Sequence, residues 1–169
     1  MAQYEIQKYS HKDISDKLKT FFTTIDWNSF ADQRYFNGYT TYFNFQYHDF
    51  LINCEELKEL RNLIISKLDD NLSFDSIWCT RMGENSFHKA HDHAGQIVSG
   101  TFYVSLPDNS SPIVFKEGDE YIDYNIQEGD LLLWPADIIH GVPLNKSKTF
   151  RETISFNLNS KIETNTNTF

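Results

Sequence analysis

Apolar residues recur at helical spacing twice in the first half of the chain. Ile14, Leu18, Phe21 and Ile25 follow an S-x-x-D start at Ser10 to Asp13, which predicts a helix over about 11–23. Leu57, Leu60, Ile64 and Leu68 follow an N-x-x-E start at Asn53 to Glu56 and predict a second helix over about 54–69. Between them, YTTYFNFQ (39–46) has the aromatic and β-branched content of a strand. From residue 74 the period shortens to that of strands: FDSIWCTRM, QIVSGTFYVSL, PIVFK, YIDYNI, DLLLW and FRETISFNL are separated by PDNSS, KEGD and QEGD. All four prolines and six of the seven glycines lie beyond residue 82, so turn punctuation belongs to this second part. The pattern predicts a mainly β fold with flanking helices, an antiparallel sandwich or jelly roll. The chain reads as a single domain over 1–169, with a helical flank to about 73, a β core over 74–158 and a frayed tail over 160–169.

Charge narrows the partners. The chain has 24 acidic and 15 basic residues, a net charge of −9 and a pI near 5.0, which disfavours nucleic acid and anionic lipid surfaces. Its start, MAQYEIQKYS, lacks the basic and apolar regions of a secretion signal, and nowhere is there an apolar run long enough to span a bilayer. A soluble, cytoplasmic protein is expected, in a bacterium or an infected host cell. Cys54 and Cys79 are expected to be buried small hydrophobes rather than a disulfide. The helices could cover the barrel or form a homodimer interface.

The candidate chemistry lies in HKAHDHAGQIVSG (88–100), where three of the six histidines fall within six positions before a strand. If that strand includes them, His91 and His93 share a face about 6 to 7 Å apart and Asp92 points away. Two neutral imidazoles can then converge on one divalent ion. His140, 47 residues beyond His93 and after the apolar strand of DLLLWPADIIH, is the candidate third ligand. The plainer reading, solvated loop histidines, stays open at this point. In RETISFNL, Arg151, Thr153, Ser155 and Asn157 share a face; a row that begins with arginine suits a carboxylate held by paired charge-assisted hydrogen bonds, and an ordinary solvent face is the alternative reading of the same pattern. Tyr103, in the polar row Ser99, Thr101, Tyr103 and Ser105, could donate to the same anion.

These segments resemble the iron(II)- and 2-oxoglutarate-dependent oxygenases, in particular the small prolyl-hydroxylase-like group of bacteria and phages. The resemblance rests on HDHAGQIVSGTFYVSLP (91–107), EGDLLLWPADIIHGV (128–142) and RETISFN (151–157), in the family's order. It implies a double-stranded β-helix, a cupin-like jelly roll, and an enzyme that uses Fe(II), 2-oxoglutarate and dioxygen to hydroxylate a small molecule or a protein side chain. His91 and His140 match the iron histidines, Arg151 the arginine that holds the cosubstrate's distal carboxylate, and Thr153 an assisting hydroxyl. His93 stands where the wider superfamily has Asp or Glu, so a three-histidine site is implied, with water or an anion as the alternative occupant of that position. Thr80 stands where the family often has asparagine. Trp78, Phe102 and Trp134 are candidate cavity walls, with plain core the favoured reading of each. Arg34, Arg81 and His88, in or beside loops 28–38 and 83–90, are candidates for substrate selection. Two other readings remain: a cupin-like metalloenzyme without 2-oxoglutarate, and a noncatalytic jelly-roll binding or virion-associated module.

Overall fold

The computed structural model describes residues 5–33 and 38–161, so the expectations for Arg34 and for most of the tail lie outside the described residues. Two antiparallel sheets face each other. The larger consists of β1 (Gln7–Ser10), β2 (Ala31–Asp32), β3 (Gly38–Thr40), β4 (Leu72–Met82), β6 (Val98–Ser105), β9 (Asp130–Pro135) and β11 (Arg151–Ser160), in the order β1-β9-β6-β11-β4-β3-β2. The smaller consists of β5 (His88–His91), β7 (Val114–Glu117), β8 (Glu120–Asp123) and β10 (His140–Val142), in the order β5-β10-β7-β8. This is the expected jelly roll, with three helices: α1 (Lys12–Thr23), α2 (Phe45–Asn53) and α3 (Lys58–Ser66).

Alternation along the central strands divides two apolar clusters. Leu131 and Leu133, Phe102 and Val104, and Ile154, Phe156 and Leu158 pack with Leu18, Phe22, Leu51, Leu60 and Ile64 of the helices. The opposite face carries Leu132, Trp134 and Tyr103, which meet Ile113 and Phe115 from the smaller sheet side. The helices therefore cover the outer face of the large sheet. The row Arg151, Thr153, Ser155 and Asn157 points inward with the second set, not to solvent.

Local signals were displaced where tertiary pairing competed for the same groups. Ser10 does not cap α1: it closes β1, which pairs with β9, and its hydroxyl donates to the Asp130 carboxylate. Strand character in 39–46 stops at Thr40. Asn44 then caps α2, its side chain accepting from the Tyr47 N–H at 3.0 Å. Asn53 ends that helix, and a short 3-10 turn (Glu55–Leu57) precedes α3, so the second predicted helix is shorter at both ends. Both cysteines are free and buried. Among the described residues, no helix is long and apolar enough to cross a membrane.

Gly129 joins the N-terminal arm to the barrel. Its φ is +88°, and a Cβ there would lie 2.7 Å from the Lys12 Cα and 2.9 Å from the Lys12 N. Backbone cannot retreat as a side-chain tip can, so Gly129→Ala is expected to destabilise the fold by about 2 kcal/mol or more, combining left-handed strain with overpacking. A lowered denaturation midpoint would show this.

Candidate active site

The histidines come together from three places. His91 ends β5 and is the direct cross-strand partner of His140, which begins β10. His93 lies beyond the end of β5, contrary to the expectation of one continuous strand, and is anchored by its N–H donating to the Ala136 carbonyl at 2.8 Å. Their rings still converge: one nitrogen from each lies within 4.8 Å of the others. Asp92 points elsewhere, exposed, with its carboxylate accepting from the Ala94 N–H.

Hydrogen bonds determine what two of the rings can offer. His91 Nδ1 is 2.8 Å from the Lys89 carbonyl, and His140 Nδ1 is 2.9 Å from the Ile138 carbonyl. A carbonyl only accepts, so each Nδ1 carries the proton and each Nε2 presents a lone pair. His93 Nδ1 lies 3.3 Å from the Asn157 side-chain amide, which also bonds Ser99 and Ser76. The atom facing the ring is Asn157 Nδ2, while Asn157 Oδ1 accepts from the Ser99 hydroxyl, so Asn157 fixes the orientation of the His93 ring. Burial pushes the His93 imidazole down to about 4 and His140 to about 3, with His91 adding to both shifts; burial also lowers His91. Three neutral imidazoles are thus available at pH 7, a donor set that suits iron or another first-row divalent ion.

A narrow inner cavity of about 40 Å³ connects this cluster to the β11 row, with Arg151, Thr153 and Ser155 in its wall. Arg151 is 3% exposed and, among the described residues, has no carboxylate partner. Its guanidinium contacts the Met82 sulfur at 3.3 Å and lies 5.1 Å from the centre of the Tyr103 ring. Arg151 Nε and Tyr103 Oη are both buried without a hydrogen-bond partner. Burial lowers the Arg151 pKa and raises the Tyr103 phenol to about 12, so a cation and a neutral hydroxyl donor face one place. Thr153 pairs with Thr80 at 2.5 Å, so the hydroxyl at the departing position is tied to its neighbour.

Outside the triad lies a wider cleft of about 490 Å³, bordered by Tyr42, Phe43, Trp78, Thr80, His88 and Lys89. Trp78 and Trp134 line the cavities, Trp134 while also packing in the inner core. Phe102 does not: its parity on β6 turns it into the helix-side core. Arg81 is also withdrawn from any role in the cleft, since it pairs with Glu152 at 2.7 Å and lies over the Trp27 and Phe150 rings. Two residues matter more than their sequence context indicated. His88 places its ring 4.2 Å from that of His91 and lines both cavities, with burial and the neighbouring imidazoles lowering it to about 2. Asn157, marked in sequence only by its parity with Arg151, supports His93.

Comparison with known proteins agrees with this architecture. Residues 76–121, which include His91 and His93, match the family model of a 2OG-Fe(II) oxygenase. By sequence, no curated protein matches the chain. By structure, it is similar to a prolyl-4-hydroxylase from Pseudomonas putida, with a TM-score of 0.69, 11% identity and 95% of each chain covered. It is also similar to HygX from Streptomyces hygroscopicus with nickel, 2-oxoglutarate and hygromycin B bound, with a TM-score of 0.68, 10% identity and coverage of 93% and 83%. A prolyl hydroxylase from Trichoplax adhaerens, in complex with a hypoxia inducible factor peptide fragment, gives 0.64, 11%, 92% and 83%. Fold and matched segment are similar to those of 2OG/Fe(II)-dependent oxygenases, and the three histidines come together within the same chain. Its architecture is similar to that of the prolyl hydroxylases among these structures.

Proposed function

We propose that His91, His93 and His140 hold Fe(II) and that Arg151, with Tyr103 and Thr153, holds the distal carboxylate of 2-oxoglutarate for hydroxylation of a substrate bound in the outer cleft. The observation that carries this reading is Arg151 itself. A guanidinium taken out of water without an anion costs several kcal/mol, and one held between a triad of imidazoles and an unpartnered phenol is positioned for a carboxylate ligand. The donor set fits iron, which would supply dioxygen activation coupled to decarboxylation of the cosubstrate to succinate. The chain's own part is to orient: backbone carbonyls and Asn157 aim the imidazoles, Arg151 aims the diacid, and Trp78 and Trp134 keep water from the reacting face. His93 in place of a carboxylate leaves the metal site one charge more positive, which favours anionic ligands there. With a net charge of −9, nucleic acid is disfavoured as a partner.

The test is an anaerobic titration with Fe(II) followed by 2-oxoglutarate. A visible charge-transfer band that saturates near one equivalent is expected. Tight iron binding without the band would favour a cupin-like metal site that does not use 2-oxoglutarate, and no iron binding would favour a noncatalytic module.

A further inference from the structure

On the side of His93 away from Lys89 lies a second cleft, of about 640 Å³, which shares Tyr42, Phe43, Asp92 and His93 with the first. Its chemistry is one-sided. Among the described residues lining it there is no lysine or arginine, and its acids are Asp75 and Asp92. Each carboxylate has one hydrogen bond inside the chain, Asp75 from the Gln96 amide at 3.1 Å and Asp92 from the Ala94 N–H at 3.2 Å, and neither is in an ion pair among the described residues.

Two buried polar atoms in this wall, Gln96 Oε1 and His48 Nε2, have no hydrogen-bond partner. Gln96 turns its amide nitrogen to Asp75, which leaves Gln96 Oε1 unbonded. His48 is 6% exposed, and its Nε2 is buried without a hydrogen-bond partner. In its Nδ1–H tautomer that ring offers a lone pair at Nε2. Beside these acceptors stand aromatic rings that the fold leaves in contact with water, Tyr42 at 38% exposed and Phe45 at 80%. Acceptors without donors, acids without bases and open aromatic faces are complementary to one ligand type.

We propose that this cleft is a subsite for a cationic group of the prime substrate, an ammonium or guanidinium next to the carbon presented to the triad. This rests on the reading of the triad as the oxidising centre. Tyr42 and Phe45 supply faces for the cation, Asp75 and Asp92 supply charge, and Gln96 Oε1 and His48 Nε2 accept its N–H groups. The same chemistry serves a lysine or arginine side chain of a peptide and the amino group of a small molecule.

The experiment uses the full chain, ¹⁵N-labelled, titrated with acetyl-arginine amide and with acetyl-citrulline amide, its neutral near-isostere, at low and high salt. Saturable shifts at Asp92, Ala94 and Gln96 are expected for the arginine compound, with the citrulline compound at least about tenfold weaker and the difference shrinking at high salt. The double substitution Asp75→Asn with Asp92→Asn changes exposed residues, and it should remove that preference while leaving the melting temperature unchanged. Equal binding of the two compounds, no shift with either, or a preference retained in the double variant overturns the proposal. A glycine-flanked arginine pentapeptide separates the sources: tighter binding than the single residue assigns a peptide, and equal binding assigns a small molecule. Neither iron nor 2-oxoglutarate enters the titration, so failure of the oxygenase reading would appear separately, as a missing charge-transfer band.

Discussion

Arg151→Met is expected to weaken 2-oxoglutarate binding by on the order of 100- to several thousand-fold and at the same time to raise the melting temperature of the ligand-free protein. The first effect follows from removing the partner of a buried carboxylate, which costs about 3–5 kcal/mol. The second follows from the ligand-free state, in which the guanidinium is 3% exposed, pairs with no acid among the described residues and has an unbonded Nε. Methionine fills similar volume without charge, and replacing an uncompensated buried ion by an apolar side chain is often stabilising, by about 1–4 kcal/mol. An arginine kept for architecture behaves oppositely, because its loss lowers stability. Calorimetry with and without 2-oxoglutarate distinguishes the two. The wild-type protein should gain stability on adding the diacid, and the variant should start higher and gain nothing. Arg151→Lys should fall between them for binding, since an ammonium keeps the charge but loses the planar fork. A variant that melts lower and still binds the diacid would remove Arg151 from the cosubstrate site.

The parts of this site that were legible in sequence are those set by strand parity. Arg151, Thr153, Ser155 and Asn157 share a face because the period of a strand is two, and register with β4 and β6 then determines which of them meets Thr80, Thr101 or Ser99. The spacing of His91 and His93 was readable, but the reason they converge was not. His93 reaches the triad from a loop pinned to Ala136, a residue 43 positions away. Helix starts were the least legible. Ser10 and Asn53 have the side chains of caps, yet a sheet partner claims the first and the end of α2 the second, since a local preference worth about 1 kcal/mol yields to a strand pairing. The withdrawal of Arg81 was likewise hidden, because the acid it pairs with lies on β11 and the rings it covers lie on the N-terminal arm and before β11.

His140→Ala is expected to lower Fe(II) affinity by more than about 100-fold, because loss of an outer-shell partner alone costs a metal site 10- to 100-fold and this change removes a ligand. His140 is 5% exposed and held by the Ile138 carbonyl and against the Trp134 ring at 5.0 Å, so its Nε2 is set toward the other two imidazoles in advance. The wild-type site carries a further expectation about pH. Protons compete with a metal only where a ligand's pKa lies above the pH, and burial holds His93 at about 4 and His140 at about 3. Affinity should therefore change little between pH 8 and about 5 and fall only below that, whereas solvated imidazoles would begin to lose the metal near their unperturbed pKa of about 6.5. The metal-free protein feels the same shifts with a definite sign. Their folded pKa values lie below the unfolded ones, so the neutral histidines contribute stability above about pH 6.5 that is lost progressively as the pH falls toward 4 and 3. Cobalt(II) titrations followed by absorption at pH 7.5 and 5.5, on the wild-type protein and His140→Ala, test both expectations. A tenfold or larger loss in the wild type between those two values would place the imidazoles in water and remove the preorganised neutral triad.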